Sequence, residues 1–210
     1  MNLLERFNIT DISKSPIEVP ILRNGLDKLY AEMNLNEGCE VGILSGKHAK
    51  KMLDQNLNLH LHLVDSYAYY KGTPKQHCDI ARYLPEMRGL LAGYNCTEHI
   101  EYSMDAVRKF KDKSLDFVYI DSNHKFDYIM QDLIEWTKKV RIGGIISGHD
   151  YAESGLTSER SSRKAMRQRT LGVTQAVNAY IEAHNIKYFF VTSLGRSHPD
   201  STRTFFWIKE

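Results

Sequence analysis

The sequence predicts an α/β fold in which a mainly parallel sheet carries helices on both faces. Short apolar, strand-like runs alternate with helical segments five times along the chain. Its 210 residues suffice for one sizeable domain with a buried core, and we expect residues 1–210 to form that single domain. A formal charge of +2, with 26% charged residues, gives no general reason to expect a polyanionic partner.

The N-terminal half is predicted to contain two short strands, each followed by polar residues. Residues 40–44 form a buried strand that runs into Ser45 and Gly46. Residues 59–64 alternate apolar and polar side chains and end at Asp65, which predicts a strand with one less buried face. A weakly patterned arm and three helices complete this half, over residues 1–20, 21–33, 48–55 and 76–91, the last interrupted at Pro85.

The C-terminal half holds the least ambiguous strand, residues 115–120 (LDFVYI), and another strand at residues 145–147. Between them we expect an amphipathic helix over residues 126–139 and a turn at residues 141–144. The other predicted segments are a polar third strand or loop at 96–102, a helix at 104–110 capped by Ser103, a mobile substrate loop at 153–171, a helix at 173–184, and two strands at 188–192 and 204–208 that form a terminal hairpin.

Acidic and imidazole side chains follow the two strands of the C-terminal half. Asp121 and His124 come directly after residues 115–120, and His149 and Asp150 follow residues 145–147. Ligands of open α/β sheets bind beyond the carboxyl ends of parallel strands, so these four side chains are expected to share one pocket. Alternatively, His149 and Asp150 only end their strand and hydrogen-bond neighbouring backbone groups.

A glycine-containing turn follows the first predicted strand. Gly42 and Gly46 would let the backbone approach a ligand closely, and the start of the next helix offers unpaired amide groups. The spacing matches neither a Walker loop nor the dinucleotide motif G-x-G-x-x-G, and a turn that merely needs two glycines would look the same. Asp65, about 20 residues later, stands where nucleotide-binding α/β folds carry a ribose-binding carboxylate. Together the two features favour a nucleoside-binding site.

The order of these motifs resembles that of class I S-adenosylmethionine-dependent methyltransferases. The segments that carry the resemblance lie within residues 38–151 and read EVGILSG, LVDSY, YSMDAV, LDFVYIDSNHKFDYIMQDLIEW and VRIGGIISGHDY. The last two are the distinctive ones, with the motifs I-D-x-x-H and G-G-x-I-x-G-H-D-Y of a small-domain family. The resemblance implies a Rossmann-like, doubly wound, mainly parallel seven-stranded sheet with an antiparallel C-terminal hairpin.

The resemblance further implies S-adenosylmethionine as the cofactor and assigns residues to it. The first motif has two glycines where many relatives have three. The assigned residues are Glu40, Gly42, Ser45 and Gly46 at the methionine end and its turn, Asp65 at the ribose, Ser103 and Met104 at the adenine, and Asp121 on the methionine side.

Methyl transfer is an in-line displacement at a sulfonium carbon, for which the protein supplies alignment and, where the nucleophile must lose a proton, a base. His149 and His124 are the candidate bases, because an unperturbed imidazole is partly neutral near pH 7. In a second hypothesis, Asp121 and Asp150 hold a divalent cation such as magnesium that lowers the pKa of the acceptor hydroxyl.

The leading hypothesis for function is O-methylation of a small hydroxylated metabolite or a sugar. The alternatives are a protein that binds S-adenosylmethionine or a nucleoside without methyl transfer, and a dinucleotide or nucleotide-sugar enzyme. Tyr67, Tyr69 and Tyr70 either wall the pocket or only pack.

The expected partner is a small-molecule acceptor, and no membrane partner is expected, because the sequence contains no long apolar segment. We therefore expect a cytoplasmic protein. Nucleic acid is not an expected partner, and the basic run at residues 160–169 (RSSRKAMRQR) is the place where a polyanion would bind. The sequence predicts no oligomeric state.

Overall fold

The structure, a computed structural model, describes residues 2–68, 80–152, 164–194 and 203–210. The helices are α1 (Leu3–Arg6), α2 (Arg23–Glu32), α3 (Lys47–Gln55), α4 (Tyr83–Leu90), α5 (Ser103–Ala106), α6 (Phe126–Lys139) and α7 (Lys164–Ala183). The strands are β1 (Ile17–Val19), β2 (Glu37–Val41), β3 (His60–Val64), β4 (Cys96–His99), β5 (Leu115–Ile120), β6 (Val140–Tyr151), β7 (Phe190–Thr192) and β8 (Arg203–Ile208).

The described strands form one sheet in the order β1-β7-β8-β6-β5-β2-β3-β4. Strands β2 to β6 pair in parallel, whereas β8 lies between β6 and β7 and runs antiparallel to both. From β2 the chain first builds outward through β3 and β4, and then through β5 and β6 on the other side, so the order reverses between β2 and β5. Such a reversal opens a crevice for ligands. The predicted Rossmann-like sheet with its antiparallel C-terminal pair is confirmed.

The sheet has eight strands rather than seven, because the N-terminal arm supplies one. Ile17 pairs with Phe190, so β1 lies parallel to β7 at the edge of the sheet. The arm also forms the short helix α1, in which the Asn2 side chain accepts a hydrogen bond from the Leu4 amide. A three-residue edge strand is too short to be recognised from hydrophobic alternation alone.

Two hydrophobic cores pack on opposite faces of the sheet. Helix α6 buries Leu133 and Trp136 on one face, where α7 also packs. Helices α2 and α3 cover the other face, on which Tyr30 stacks against Phe117 of β5 with ring centroids 4.0 Å apart. The predicted amphipathic helix at residues 126–139 therefore has the bounds and the buried face that its periodicity indicated.

Several boundaries differ from the prediction: β2 spans Glu37–Val41 rather than residues 40–44, and β6 continues beyond residue 147 to Tyr151. Pro85 lies in the first turn of α4, where its missing amide would have no intrahelical partner, so the helix begins at Tyr83 after a short 3₁₀ turn. The expected turn at residues 141–144 is part of β6, which shifts register against β5 and takes a positive φ at Gly143.

Helix α7 starts at Lys164, so residues 164–171 are helical, whereas residues 153–163 of the expected substrate loop lie outside the described part of the chain. Among the described residues no helix has both the length and the apolarity needed to cross a membrane.

A substitution at Gly38 of β2 tests how tightly the centre of the sheet is packed. A Cβ at this position would overlap the end of the Phe117 ring, which cannot retreat because it stacks on Tyr30. We expect Gly38→Ala to lower the free energy of unfolding by about 2 kcal/mol, the usual cost of overpacking a core. In the matched variant Gly89→Ala, the new methyl group has no neighbour within 4 Å in the part of the chain that the structure describes, and the helix should gain stability. Equal denaturant midpoints for the two variants would contradict this account.

Candidate active site

A cavity of about 1290 Å³ lies beyond the carboxyl ends of β2, β3 and β5. The register brings these ends to one level, because Val41 is the partner of both Val64 and Ile120, and Ile120 is the partner of Gly148 in β6. The residues that follow each strand therefore emerge side by side. The predicted site residues that line the cavity are Glu40, Gly42, Ser45, Asp65, Ser103, Met104, Asp121 and His124.

The two glycines of the first turn are required by the backbone. Gly42 has a φ of 96°, and a Cβ there would overlap the carbonyl of Asp121, so the glycine permits close approach of two strand ends. Gly46, the residue before α3, has a φ of 76° and does not line the cavity. Both glycines therefore shape the turn after β2, and Ser45 in this turn lines the cavity.

Asp65 ties the loop after β2 to the end of β3. Its Oδ2 accepts hydrogen bonds from the amides of Ile43 and Leu44, each at 3.0 Å, and its Oδ1 accepts one from the Tyr67 amide at 2.9 Å. A carboxylate has about four acceptor positions, so one remains for a ligand. The buried Tyr67 donates its hydroxyl to the Leu44 carbonyl and does not line the cavity, while residues 69 and 70 of the predicted tyrosine wall lie outside the described ranges.

Ser103 belongs to a hydrogen-bonded network around Asp132. The Ser103 hydroxyl donates to Asp132 and accepts a hydrogen bond from Trp136 Nε1, and Ser122 Oγ donates to Asp132 Oδ2 at 2.6 Å. Burial raises the pKa of Asp132 to about 6, although the two hydroxyl donors act in the opposite direction. The Ser103 hydroxyl therefore already has a donor and an acceptor partner within the protein. Ser103 and the neighbouring Met104 both line the cavity.

The structure brings together the four acidic and imidazole residues predicted at the strand ends. His124 Nε2 lies 2.9 Å from Asp150 Oδ2 and 3.5 Å from Asp121 Oδ1, and His149 Nδ1 lies 3.3 Å from Asp150 Oδ1. Burial by itself would lower the pKa of His124, but the two carboxylates raise it to about 10, so the imidazole carries a proton at neutral pH. Asp121 and His124 line the cavity, whereas His149 and Asp150 do not.

Arg23 is a cavity residue that no sequence motif indicated. It extends from the start of α2, and its Nη2 lies 2.7 Å from Asp121 Oδ2, while its guanidinium sits over the Tyr119 ring. Although burial would raise the pKa of Asp121, hydrogen bonding from His124 and the charge of Arg23 keep it below its ordinary value. The Asp121 carboxylate is therefore held ionised between two cations.

A second buried ionic group surrounds Glu40. His48 of α3 places Nδ1 at 2.8 Å from Glu40 Oε1 and Nε2 at 3.3 Å from Asp27 Oδ1. Burial would lower the pKa of His48, but Glu40 and Asp27 raise it to about 9. Glu40 Oε2 is buried and has no hydrogen-bond partner among the described residues. One oxygen of this carboxylate is thus held by His48, and the other is free to take a donor from the cavity.

Residues 39–151, slightly more than half of the chain, match the family model of a methyltransferase domain. The chain belongs to this methyltransferase family. No curated protein matches the sequence of this methyltransferase. The matched segment begins in β2 and ends with β6, so it covers the strand ends that build the cavity.

Solved structures show the same fold at low identity to this methyltransferase. A Staphylococcus aureus protein described as a caffeoyl-CoA O-methyltransferase is 15% identical with a TM-score of 0.63, covering 99% of this chain and 91% of its own. The O-methyltransferase TomG of Streptomyces achromogenes, involved in tomaymycin synthesis and solved with S-adenosylmethionine, is 14% identical with a TM-score of 0.62, at 99% and 86% coverage.

A Bacillus cereus O-methyltransferase solved with S-adenosylhomocysteine is 18% identical, with a TM-score of 0.58 and coverage of 89% of this chain and 80% of that one. At such identities the likeness of these three proteins to this methyltransferase extends to the fold alone.

The raised pKa of His48 predicts a pH-dependent contribution to stability. Since the folded value of about 9 exceeds the ordinary 6.5, the stabilisation is fully present below pH 6.5 and is lost as the pH rises through 9. We expect the unfolding free energy of the wild type to exceed that of His48→Gln by an amount that shrinks by roughly 3 kcal/mol over this range. Denaturant unfolding at several pH values measures it.

Two controls accompany this measurement. His184→Gln replaces an exposed histidine that stacks on Tyr180 at the end of α7, and it serves as the control for the loss of an imidazole outside the ionic group around Glu40. In Glu40→Gln, the His48 imidazole resonances should titrate closer to pH 6.5 in NMR spectra, because the main favourable charge is gone. A His48 that titrates near 6.5 in the wild type would contradict the ionic group around Glu40.

Proposed function

We propose that this methyltransferase transfers the methyl group of S-adenosylmethionine to a hydroxyl group of a small molecule, such as a hydroxylated metabolite or a sugar. The observation that carries the proposal is one cavity with two different ends. Asp65 and the loop after β2 form one end, and Asp121 with His124 forms the other. Its volume of about 1290 Å³ exceeds the 300–1,000 Å³ typical of a single small ligand, so a cofactor and an acceptor both fit.

The cofactor is proposed to lie along the carboxyl ends of β2 and β3. The buried Oε2 of Glu40, which has no hydrogen-bond partner among the described residues, suits the ammonium group of the methionine part, because a buried carboxylate oxygen is costly without a donor. The remaining acceptor position of Asp65 suits a ribose hydroxyl. Met104 and the backbone at Ser103 flank the adenine, while Gly42, Ser45 and Gly46 contribute through the shape of the turn.

The solved neighbours support the choice of cofactor and of reaction. TomG binds S-adenosylmethionine, and the Bacillus cereus protein binds S-adenosylhomocysteine, the product that remains after methyl transfer. Both are described as O-methyltransferases, which favours an oxygen acceptor for this chain.

Asp65→Ala should weaken binding of S-adenosylmethionine and S-adenosylhomocysteine at least tenfold in calorimetric titration, because a ribose hydrogen bond and the anchoring of the loop after β2 are both lost. Asp116→Ala is the matched control. Its carboxylate also accepts two backbone amides, from Asn36 and Glu37, but at the opposite end of the sheet.

Asp116→Ala should lower stability and leave the affinity for both cofactor forms unchanged. Equal loss of affinity in the two variants would mean that Asp65 acts only on folding. Binding of NAD in place of both cofactor forms would overturn the methyltransferase proposal.

In the proposed reaction the acceptor oxygen attacks the sulfonium methyl carbon, a C–O bond forms as the C–S bond breaks, and S-adenosylhomocysteine leaves neutral at sulfur. The acceptor proton must go to a base or be lost with help from a nearby cation. His124 faces the cavity, but as long as Asp121 and Asp150 hold no cation it is protonated at neutral pH and does not accept that proton. His149 contacts Asp150 and does not line the cavity.

These positions favour the cation hypothesis over the two imidazole bases. Asp121, Asp150 and His149 offer three donor atoms that all lie within 4.8 Å of one another, a set that fits a divalent cation. A cation bound there would lower the pKa of the acceptor hydroxyl. Arg23 and protonated His124 already balance the charge of the two carboxylates, so we expect His124 to release its proton when the site is filled.

Asp150→Asn tests the catalytic end with little disturbance of the backbone, since residue 150 has a φ of 61°, which asparagine adopts readily. We expect chelation to abolish methyl transfer to a panel of hydroxylated acceptors, magnesium or manganese to restore it, and Asp150→Asn to lower kcat roughly 100-fold. Calorimetry should show unchanged cofactor binding in this variant. Activity that survives chelation and is lost only in His149→Ala would support general base catalysis instead.

A further inference from the structure

The histidines of β3 form a cluster that the proposed reaction does not use. His60 and His62 lie two residues apart on one face of the strand, and Glu37 at the start of β2 is the register partner of His60. Glu37 Oε1 contacts both rings. It lies 2.9 Å from His60 Nδ1 and 2.8 Å from His62 Nε2. None of the three lines the active-site cavity. We propose that Glu37, His60 and His62 form a second metal site, which takes Zn²⁺ or a similar transition-metal ion.

The donor atoms have the composition and the spacing of a zinc site. Two imidazole nitrogens and one carboxylate oxygen are a known zinc ligand set that leaves the fourth position for water. The three atoms lie within 4.8 Å of one another. Tetrahedral ligands about 2.1 Å from zinc are about 3.4 Å apart, so an ion fits after the two short contacts open by about half an ångström. Magnesium is a poorer match, because it prefers an octahedron of oxygen ligands.

The outer nitrogens of both rings have partners of the kind that metal-bound histidines need. His60 Nε2 lies 2.9 Å from Thr97 Oγ1, and His62 Nδ1 lies 3.0 Å from His99 Nε2. When the inner nitrogens bind an ion, the outer ones must carry protons, and a hydroxyl and a neutral imidazole can both accept them. These contacts fix the tautomer and orientation of each ring, as outer-shell partners of metal ligands do.

The site is sheltered on one side and open on the other. The Phe110 ring packs edge-on against His62 at 4.8 Å and lies 5.2 Å from His99. The side chains of His60, His62 and Glu37 are 29%, 16% and 39% exposed, so an ion and its water can enter from solvent. An ion here would join the amino-terminal halves of β2 and β3, roughly 7 Å along β3 from the cavity, at 3.3 Å per residue from His62 to the cavity-lining Val64.

The test is titration of the full-length, tag-free chain with Zn²⁺ in competition with a chromogenic chelator. We expect His60→Asn/His62→Asn to lower the zinc affinity by roughly 100-fold or more, and Thr97→Val, which removes only an outer partner, to lower it about tenfold. Asp150→Asn and His184→Asn are the controls, one in the active site and one on an exposed histidine, and both should keep the wild-type affinity for this site.

X-ray absorption of the zinc-loaded wild type should show nitrogen and oxygen neighbours at about 2.0–2.1 Å, including two imidazoles. Circular dichroism establishes that each variant is folded, and Glu37→Gln, which keeps the shape of the side chain, is the substitute if the double variant is not. The proposal is overturned if the wild type binds no zinc, if the double variant keeps its affinity, or if only Asp150→Asn loses the ion. None of these results bears on methyl transfer, which is assayed separately.

Discussion

The parallel register of β2, β5 and β6 is the constraint on which the candidate site depends. Val41 is level with Ile120, and Ile120 with Gly148, so β2 and β5 end at one height, and β6 carries His149 and Asp150 directly beyond that height. The missing side chain of Gly42 lets the end of β2 touch the carbonyl of Asp121. A bulkier residue at this point would separate the two strand ends and, with them, the two ends of the cavity.

Burying several carboxylates at one edge of the sheet requires compensating cations, and helices supply two of them. Arg23 of α2 pairs with Asp121, and His48 of α3 pairs with Glu40, each at less than 3 Å. Removing one member of such a pair leaves an unpaired buried charge, which costs more than the pair itself contributes. The helices on this face of the sheet therefore do more than cover the core, since their polar residues set the protonation of the cavity wall.

Local features could be predicted from the sequence, whereas contacts that depend on the topology of the chain could not. The strand LDFVYI and the helix after it were predicted closely, because six consecutive apolar or half-buried positions and a helical period are readable in a short window. The gathering of Asp121, His124, His149 and Asp150 followed from the rule that parallel strands share a carboxyl edge. No comparable rule links Arg23 to Asp121 across 98 residues, so that ion pair could not be predicted. Gly42 was predicted to approach a ligand, but its first constraint is the neighbouring strand.

Asp65 and Asp116 show why a local interaction alone does not identify a site. Each carboxylate accepts two successive backbone amides beside a strand of the same sheet, with similar distances. Asp65 stands at the carboxyl end of β3, beside the crevice that opens where the strand order reverses between β2 and β5, whereas Asp116 stands at the amino end of β5 beside Arg141. The alternation in LHLHLV is a second local pattern of this kind. It indicated that one face of β3 is less buried, but it did not indicate which residues contact that face. The partner of His60 and His62 is Glu37 of the neighbouring strand β2, so the chemistry of that face depends on how the strands pair.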